Sequence, residues 1–149
     1  MQQAAFYAGR AFTRGSVGYV HAIGHTLSGL YDTPHGLAMA ILLPHVLRAY
    51  GPKAHKRLAE LCDICRLAEK ADTIQGKAEA FIRWIEEMKQ KMGIPEYPDM
   101  IREEDVDQIV AWAEKEGNPL YPTPVTWNKK DFKKFILSLL QERDQVRSV

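Results

Sequence analysis

The segment TIQGKAEAFIRWIEEMKQKM, residues 73–92, decides the class of fold that this sequence predicts. Its apolar side chains recur every three or four positions, so they share one face of an α-helix. The residues on that face are Ala78, Phe81, Ile82, Ile85, Met88 and Met92. Gly93-Ile94-Pro95 follows directly and ends the pattern, because glycine and proline both disfavour continuation of a helix.

The same helical spacing extends over most of the 149 residues and predicts an all-α protein. Helices are predicted over residues 2–13, 17–30, 36–50, 53–67, 73–92 and 103–116. A last helix begins after Asn128, whose side chain can cap it with Asp131 as the capping-box partner. We find no strand pattern, no repeat and no glycine-rich phosphate loop in the sequence. We therefore expect a single domain over residues 1–149, a helical bundle of about seven helices.

Two segments depart from the simple amphipathic pattern. Residues 36–50 are apolar on nearly all sides, so this helix should lie in the centre of the fold. Pro44 within it lacks a backbone N–H donor and should bend it. Residues 117–127, GNPLYPTPVTW, contain three prolines and are expected to form an extended, ordered loop.

The charge balance argues against several classes of partner. The net charge is +1, and basic residues are interspersed with acidic ones, so we expect neither nucleic acid nor a membrane as partner. The first residues lack the basic and apolar regions of a signal peptide, and the longest apolar run, residues 36–47, is too short to cross a bilayer. These features predict a cytoplasmic protein.

The two cysteines form a C-x-x-C pair, Cys62 and Cys65, a spacing found in redox motifs and in halves of zinc sites. The pair lies within a predicted helix, with no strand before it and no second pair to complete a four-cysteine zinc site. We interpret the cysteines as buried or half-buried helix residues. A histidine–cysteine metal site would require them to lie close to the histidines.

Three of the five histidines lie in GYVHAIGHTLSGLYDTPHG, residues 18–36. His21 and His25 are four positions apart, so they lie one turn apart on the same helix face and can reach a common metal or substrate. The glutamate of the zinc-protease motif H-E-x-x-H is absent, which argues against proteolysis. His35 follows a turn, at the start of the next helix. By spacing alone, the three histidines fit either a metal or active site or ordinary interior positions.

Several motifs together resemble those of one enzyme family. They are A-G-x-A-F at residues 8–12, H-A-x-x-H at 21–25, P-H-G at 34–36, A-x-L-L-P-H-V at 40–46, KMGIP at 91–95 and NPLYPTPV at 118–125. This set resembles the C-terminal helical domain of the iron-containing (group III) alcohol dehydrogenases, which have the dehydroquinate synthase-like fold. The resemblance covers the chain from about residue 4 to the last helix.

The resemblance implies a site with a divalent metal, Fe²⁺ or Zn²⁺, held by one aspartate and three histidines. It makes His21 and His35 two of those ligands and places His25 near the nicotinamide and the substrate, as a proton relay. In the family the other two ligands come from a D-x-x-x-H helix, and NAD(P) is held by a glycine-rich nucleotide-binding domain. Neither motif occurs in these 149 residues, so we assign no cofactor-binding residue here.

The resemblance thus predicts part of an NAD(P)-dependent alcohol dehydrogenase that interconverts small alcohols and aldehydes by hydride transfer. The chain alone is expected to be inactive, to bind metal weakly or not at all, and to form homo-oligomers through uncovered apolar surface. The alternative is a non-catalytic helical module with an interaction or structural role. Two residues depart from the family's usual pattern: Met39 replaces a common asparagine, and Gly24 replaces a common alanine.

Overall fold

The computed structural model describes residues 1–68 and 73–148, so residues 69–72 and 149 of the predicted domain lie outside it. Within the described residues there are seven α-helices and no β-strand, which confirms the predicted all-α fold. The helices are α1 (Gln2–Gly15), α2 (Tyr19–Tyr31), α3 (His35–Tyr50), α4 (Pro52–Cys65), α5 (Ile74–Lys91), α6 (Val106–Gly117) and α7 (Lys129–Arg147). A short 3₁₀ helix, Glu103–Asp105, precedes α6.

Helix α3 lies in the centre of the fold, as its all-round apolar character predicts. It packs against α2, α4 and α5, while α6 packs between α2 and α7. Its buried residues point in several directions; they are Ala38, Ile41, Leu42, Pro44, Val46 and Tyr50. The bend expected at Pro44 stays a prediction. Helices α2 and α3 are consecutive and pack against each other. The turn between them therefore brings side chains of α2 close to the first residue of α3.

The start of α7 and the end of α4 have local causes. The Asn128 side chain accepts from the backbone N–H of Asp131, and the Asp131 carboxylate accepts from the N–H of Asn128, so the predicted capping box of α7 is confirmed. Helix α4 ends at Cys65, two residues earlier than predicted, because Arg66 has a left-handed backbone with φ of 56° and cannot continue the helix.

The apolar face predicted for α5 is only partly buried. Met88 and Met92 are 36% and 60% exposed, whereas Lys89 is only 5% exposed. The Lys89 ammonium donates to the backbone oxygen of Ile41 in α3 at 3.2 Å. Burial lowers the pKa of Lys89, against the opposing effect of nearby glutamates. A lysine can take a core position because its stem packs like an apolar chain while its ammonium finds an acceptor.

Helix α1 contributes no buried side chain, although it carries aromatic residues. Phe6, Tyr7 and Phe12 are all more than half exposed. An exposed apolar surface of this kind is typical of a helix that packs against another protein surface.

Tyr19 anchors the loop between α6 and α7. Its hydroxyl donates to Asn118 Oδ1 at 2.8 Å and accepts from the Trp127 backbone N–H at 2.9 Å. The Asn118 amide in turn donates to the Trp127 carbonyl at 2.7 Å. Both ends of the proline-rich loop are therefore held by one fully buried side chain of α2. The loop is not extended throughout as predicted, because residues 118–120 form a turn.

The Tyr19 ring also determines which residues can pack around it. Its centroid lies 4.9 Å from that of Trp127 and 4.8 Å from that of Phe132. A Cβ atom on Gly117 would lie 2.9 Å from the same ring, so a larger residue there would force α6 away from α2.

Replacing Tyr19 with phenylalanine should lower the free energy of unfolding by about 1–3 kcal/mol, because the Trp127 N–H and the Asn118 amide oxygen lose a buried partner while the ring is kept. Urea unfolding measures the change. Tyr7→Phe, at an exposed position of α1, is the matched control and should change stability by less than about 0.5 kcal/mol. Equal, small effects for the two variants would contradict the anchoring role.

Tyr50 should make the fold sensitive to alkaline pH. Its hydroxyl accepts from the Tyr19 backbone N–H at 3.2 Å, and burial raises the pKa of Tyr50 to about 12. Because an unfolded tyrosine titrates near about pH 10, the unfolded chain releases this proton first. The stabilisation that the neutral Tyr50 hydroxyl gives the folded state is therefore present below about pH 10. It is lost as the pH rises towards about 12, at about 1.4 kcal/mol per pH unit.

The free energy of unfolding should consequently fall more steeply between about pH 9.5 and about pH 11.5 in the wild-type chain than in Tyr50→Phe. Urea titrations across this range measure both slopes. Parallel profiles for the two proteins would show that Tyr50 does not carry the effect.

Candidate metal centre

The turn between α2 and α3 brings the three predicted histidines together. His21 and His25 lie one turn apart on α2, and His35 is the first residue of α3. The ring centroids of His21 and His35 are 5.5 Å apart, those of His21 and His25 are 5.6 Å apart, and those of His25 and His35 are 5.2 Å apart. Asp32, with φ of 53°, ends α2 in the left-handed conformation that aspartate tolerates better than most residues.

The three histidine rings lie close enough for two of them to bind one metal ion. Two imidazoles bound to a tetrahedral metal at about 2.1 Å have ring centroids about 5 Å apart, and each pair of these rings lies in this range, at 5.2–5.6 Å. Burial lowers the pKa of His21, and the charges of His25 and His35 lower it further, while Glu116 acts in the opposite direction. His21 is therefore neutral near pH 7, and the neutral imidazole is the form that binds metals.

A complete metal site needs more donors than these. Within residues 1–68 and 73–148, no group of three or more His, Cys, Asp or Glu side chains is arranged to hold a metal ion. Most protein sites for iron or zinc use three or four protein ligands. The histidines thus have the spacing of part of a metal site, and a complete site would need further donors.

His25 differs from the other two histidines because one of its nitrogens is engaged. Its Nδ1 atom lies 2.6 Å from Glu116 Oε1, and the Tyr121 hydroxyl donates to the same oxygen at 2.7 Å. Sequence reasoning missed Glu116 and Tyr121. They lie more than ninety positions from His25, and no short motif connects residues so far apart.

An apolar groove of about 630 Å³ lies beside His21. Its walls include Phe12 of α1, Val20 of α2, Met39 and Leu43 of α3, and Pro122 of the loop that follows α6. A concave, mostly apolar surface with a few polar groups is typical of binding sites for small organic molecules.

The two departures from the resembled family pattern are in contact with each other. A Cβ atom on Gly24 would lie 2.0 Å from the terminal methyl group of Met39 and 3.1 Å from its sulfur atom. The Met39 side chain therefore occupies the space that an alanine methyl group at position 24 would need. Gly24 and Met39 therefore form a single packing contact. Met39 also forms part of the groove wall next to His21.

Comparison with known proteins identifies the family. Residues 1–140 match the family described as "Fe-containing alcohol dehydrogenase family, C-terminal". The chain belongs to the iron-containing alcohol dehydrogenases. This confirms the resemblance seen in the sequence motifs, from the alanine-rich start to the last helix.

Individual members of the iron-containing alcohol dehydrogenases agree with this assignment. The chain is 36% identical over 135 residues to 1,3-propanediol dehydrogenase of Citrobacter freundii, an alignment that covers 88% of this chain and 34% of that protein. The structure matches that of the alcohol dehydrogenase from Oenococcus oeni with a TM-score of 0.81 and 32% identity, over 89% of this chain and 35% of that one. A 1,3-propanediol oxidoreductase structure matches with a TM-score of 0.75 and 30% identity, over 83% of this chain and 32% of that one. The chain spans about a third of the length of these relatives.

The cysteine interpretation is half confirmed. Cys62 is buried in α4, whereas Cys65, the last residue of that helix, is exposed. Neither belongs to a potential metal-binding group within the described ranges. Among the described helices of this family member, none has the length and apolar character needed to cross a membrane.

The contact between Gly24 and Met39 predicts a measurable energetic coupling. Gly24→Ala in the wild-type chain should be neutral or destabilising by about 1 kcal/mol, because overpacking against Met39 offsets the better helix propensity of alanine. In a Met39→Ala background the same change should stabilise by up to about 1 kcal/mol. Urea unfolding of the four proteins gives the coupling energy, expected to be about 1 kcal/mol or more.

Gly29→Ala is the matched control for this cycle. It lies on the same helix, and a Cβ atom there would meet only Trp112, at 3.9 Å. Its effect should be the same in both backgrounds. A coupling energy near zero for Gly24 would show that Met39 moves aside without cost.

Proposed function

We propose that this chain forms one helical domain of an NAD(P)-dependent alcohol dehydrogenase, to which it supplies the metal ligands His21 and His35 and the proton-relay residue His25. The observation that carries the proposal is the meeting of these three histidines at the α2–α3 turn, in a chain that belongs to the iron-containing family. In the reaction, an alcohol loses a hydride to NAD(P)⁺ and a proton to the protein, which yields the aldehyde.

His21 and His35 would hold Fe²⁺ or Zn²⁺ together with an aspartate and a histidine from polypeptide outside these 149 residues. Such a metal, when bound, acts as a Lewis acid towards the hydroxyl group of the alcohol. His25, whose ring lies within 5.2–5.6 Å of the other two, can take up the hydroxyl proton and return it in the reverse direction. The NAD(P) cofactor would be bound by residues outside this chain.

The groove beside His21 supports a small alcohol or aldehyde as substrate. Its apolar walls can hold a short carbon chain, and the polar end of the substrate would lie towards His21, the histidine that lines the groove. The names of the relatives agree with this substrate class, since one is a 1,3-propanediol dehydrogenase and another a 1,3-propanediol oxidoreductase.

The proposal predicts how the isolated chain binds metal. Zn²⁺ should bind weakly, because two imidazoles without the family's aspartate provide no negative charge to compensate the ion. A titration followed through the ¹⁵N signals of the histidine rings should shift His21 and His35 together. His21→Ala or His35→Ala should weaken binding about tenfold or more, and His55→Ala on α4 is the matched control with no effect.

Binding that neither variant weakens would contradict the ligand assignment. The same preparation, supplied with Fe²⁺, NAD⁺ and 1,3-propanediol, should form no NADH, because the remaining ligands and the cofactor site are lacking. Metal-dependent NADH formation by the purified 149-residue chain would overturn this division of the active site.

A non-catalytic module with an interaction role is the second candidate, favoured by the exposed aromatic residues of α1. Phe6 and Tyr7 offer a surface for a second copy of the chain or for another protein. This function needs no metal, so the variants of His21 and His35 would leave it intact. We propose that the homo-oligomer expected from the sequence would form through this surface.

A further inference from the structure

We infer that Glu116 and Tyr121 are positioning residues that hold His25 in a single tautomer, with the proton on Nδ1 and the lone pair on Nε2. The inference rests on the relay role proposed above for His25 and names the nitrogen through which it acts. Neither Glu116 nor Tyr121 was assigned a role by the sequence motifs.

The pairing of His25 with Glu116 sets the tautomer. The carboxylate can only accept hydrogen bonds, so the 2.6 Å contact between Nδ1 and Oε1 requires the proton to lie on Nδ1. In a neutral imidazole the lone pair then lies on Nε2. A relay residue needs such a free nitrogen, because a ring that exchanges between tautomers accepts a proton at Nε2 only part of the time.

Tyr121 holds the carboxylate in place. Its hydroxyl donates to the same Oε1 atom at 2.7 Å, so this oxygen receives two hydrogen bonds from opposite partners. Burial and the hydrogen bond to Glu116 raise the pKa of Tyr121 to about 12, so the phenol remains a donor throughout the neutral range. The two donors restrict the rotation of a glutamate side chain that is otherwise partly exposed.

The loop that carries Tyr121 is itself fixed. The Tyr121 backbone N–H donates to the Gly117 carbonyl at 3.0 Å, and Tyr19 holds both ends of the loop through Asn118 and Trp127. Tyr121 therefore reaches Glu116 from a rigid support and not from a free surface loop.

The place of Glu116 in α6 is an independent indication of its role. It is the second-last residue of the helix, Val106–Gly117, where the negative end of the helix dipole disfavours a carboxylate. A glutamate at this position destabilises the helix unless hydrogen-bond partners compensate its charge. His25 and Tyr121 are those partners.

The test measures the tautomer directly in the ¹⁵N-labelled chain without metal. At about pH 8.5, where an ordinary histidine is neutral, His25 should show a pyrrole-like ¹⁵N shift at Nδ1 and a pyridine-like shift at Nε2. Glu116→Ala should lower the ratio of the Nδ1–H to the Nε2–H form about tenfold. Tyr121→Phe should lower it by a smaller factor, because Glu116 keeps its contact with His25.

Glu114→Ala is the matched control, on the same helix and two residues earlier, and should leave the His25 signals unchanged. Backbone amide spectra establish that each variant is folded, so that the shift reports positioning and not unfolding. The proposal is overturned if wild-type His25 carries its proton on Nε2, or if Glu116→Ala leaves the ratio unchanged.

The tautomer measurement and the metal titration test separate proposals, so either proposal can be contradicted without the other. Should Zn²⁺ shift the His25 signals in place of those of His35, the proposed ligand assignment would be wrong, yet the tautomer of the metal-free chain would still report on Glu116. An unchanged tautomer in Glu116→Ala would remove the positioning role and leave the ligand assignment untouched.

Discussion

The buried hydroxyl of Tyr19 is the contact on which the rest of the structure depends. It connects the start of α2 to both ends of the loop between α6 and α7, through Asn118 and Trp127. Since the Tyr19 side chain is fully buried, the loss of its hydrogen bonds would be costly. Its ring packs so closely against Gly117 that only a residue without a side chain at position 117 lets α2 and α6 pack this tightly.

The candidate site extends from this anchor. Helix α2 presents His21 and His25, the turn to α3 adds His35, and α6 brings Glu116 to the Nδ1 atom of His25. The anchored loop adds Tyr121, whose hydroxyl donates to the same Glu116 oxygen. The geometry around His25, the proposed relay residue, thus depends on three separate elements that Tyr19 holds together. The placement of His21 and His35, the proposed metal ligands, depends on α2 and α3 alone.

Much of the helical structure could be predicted from the spacing of apolar residues, because each helix buries one face and exposes the other. The exceptions have local physical causes. Lys89 occupies a core position in α5 because its ammonium reaches the carbonyl of Ile41, a partner on another helix. Arg66 ends α4 early through a left-handed backbone, although arginine is a good helix former.

The sequence by itself determined the helices, the spacing of His21 and His25 and the family, since these depend on residues close together in the chain. Only the tertiary structure decided that Glu116 and Tyr121 reach His25, and that Gly24 makes room for Met39. Contacts of this kind join distant positions, and their geometry depends on how whole helices pack. Periodicity and motifs describe single helices, whereas the approach of α2 to α3 and α6 follows from the packing of the entire core.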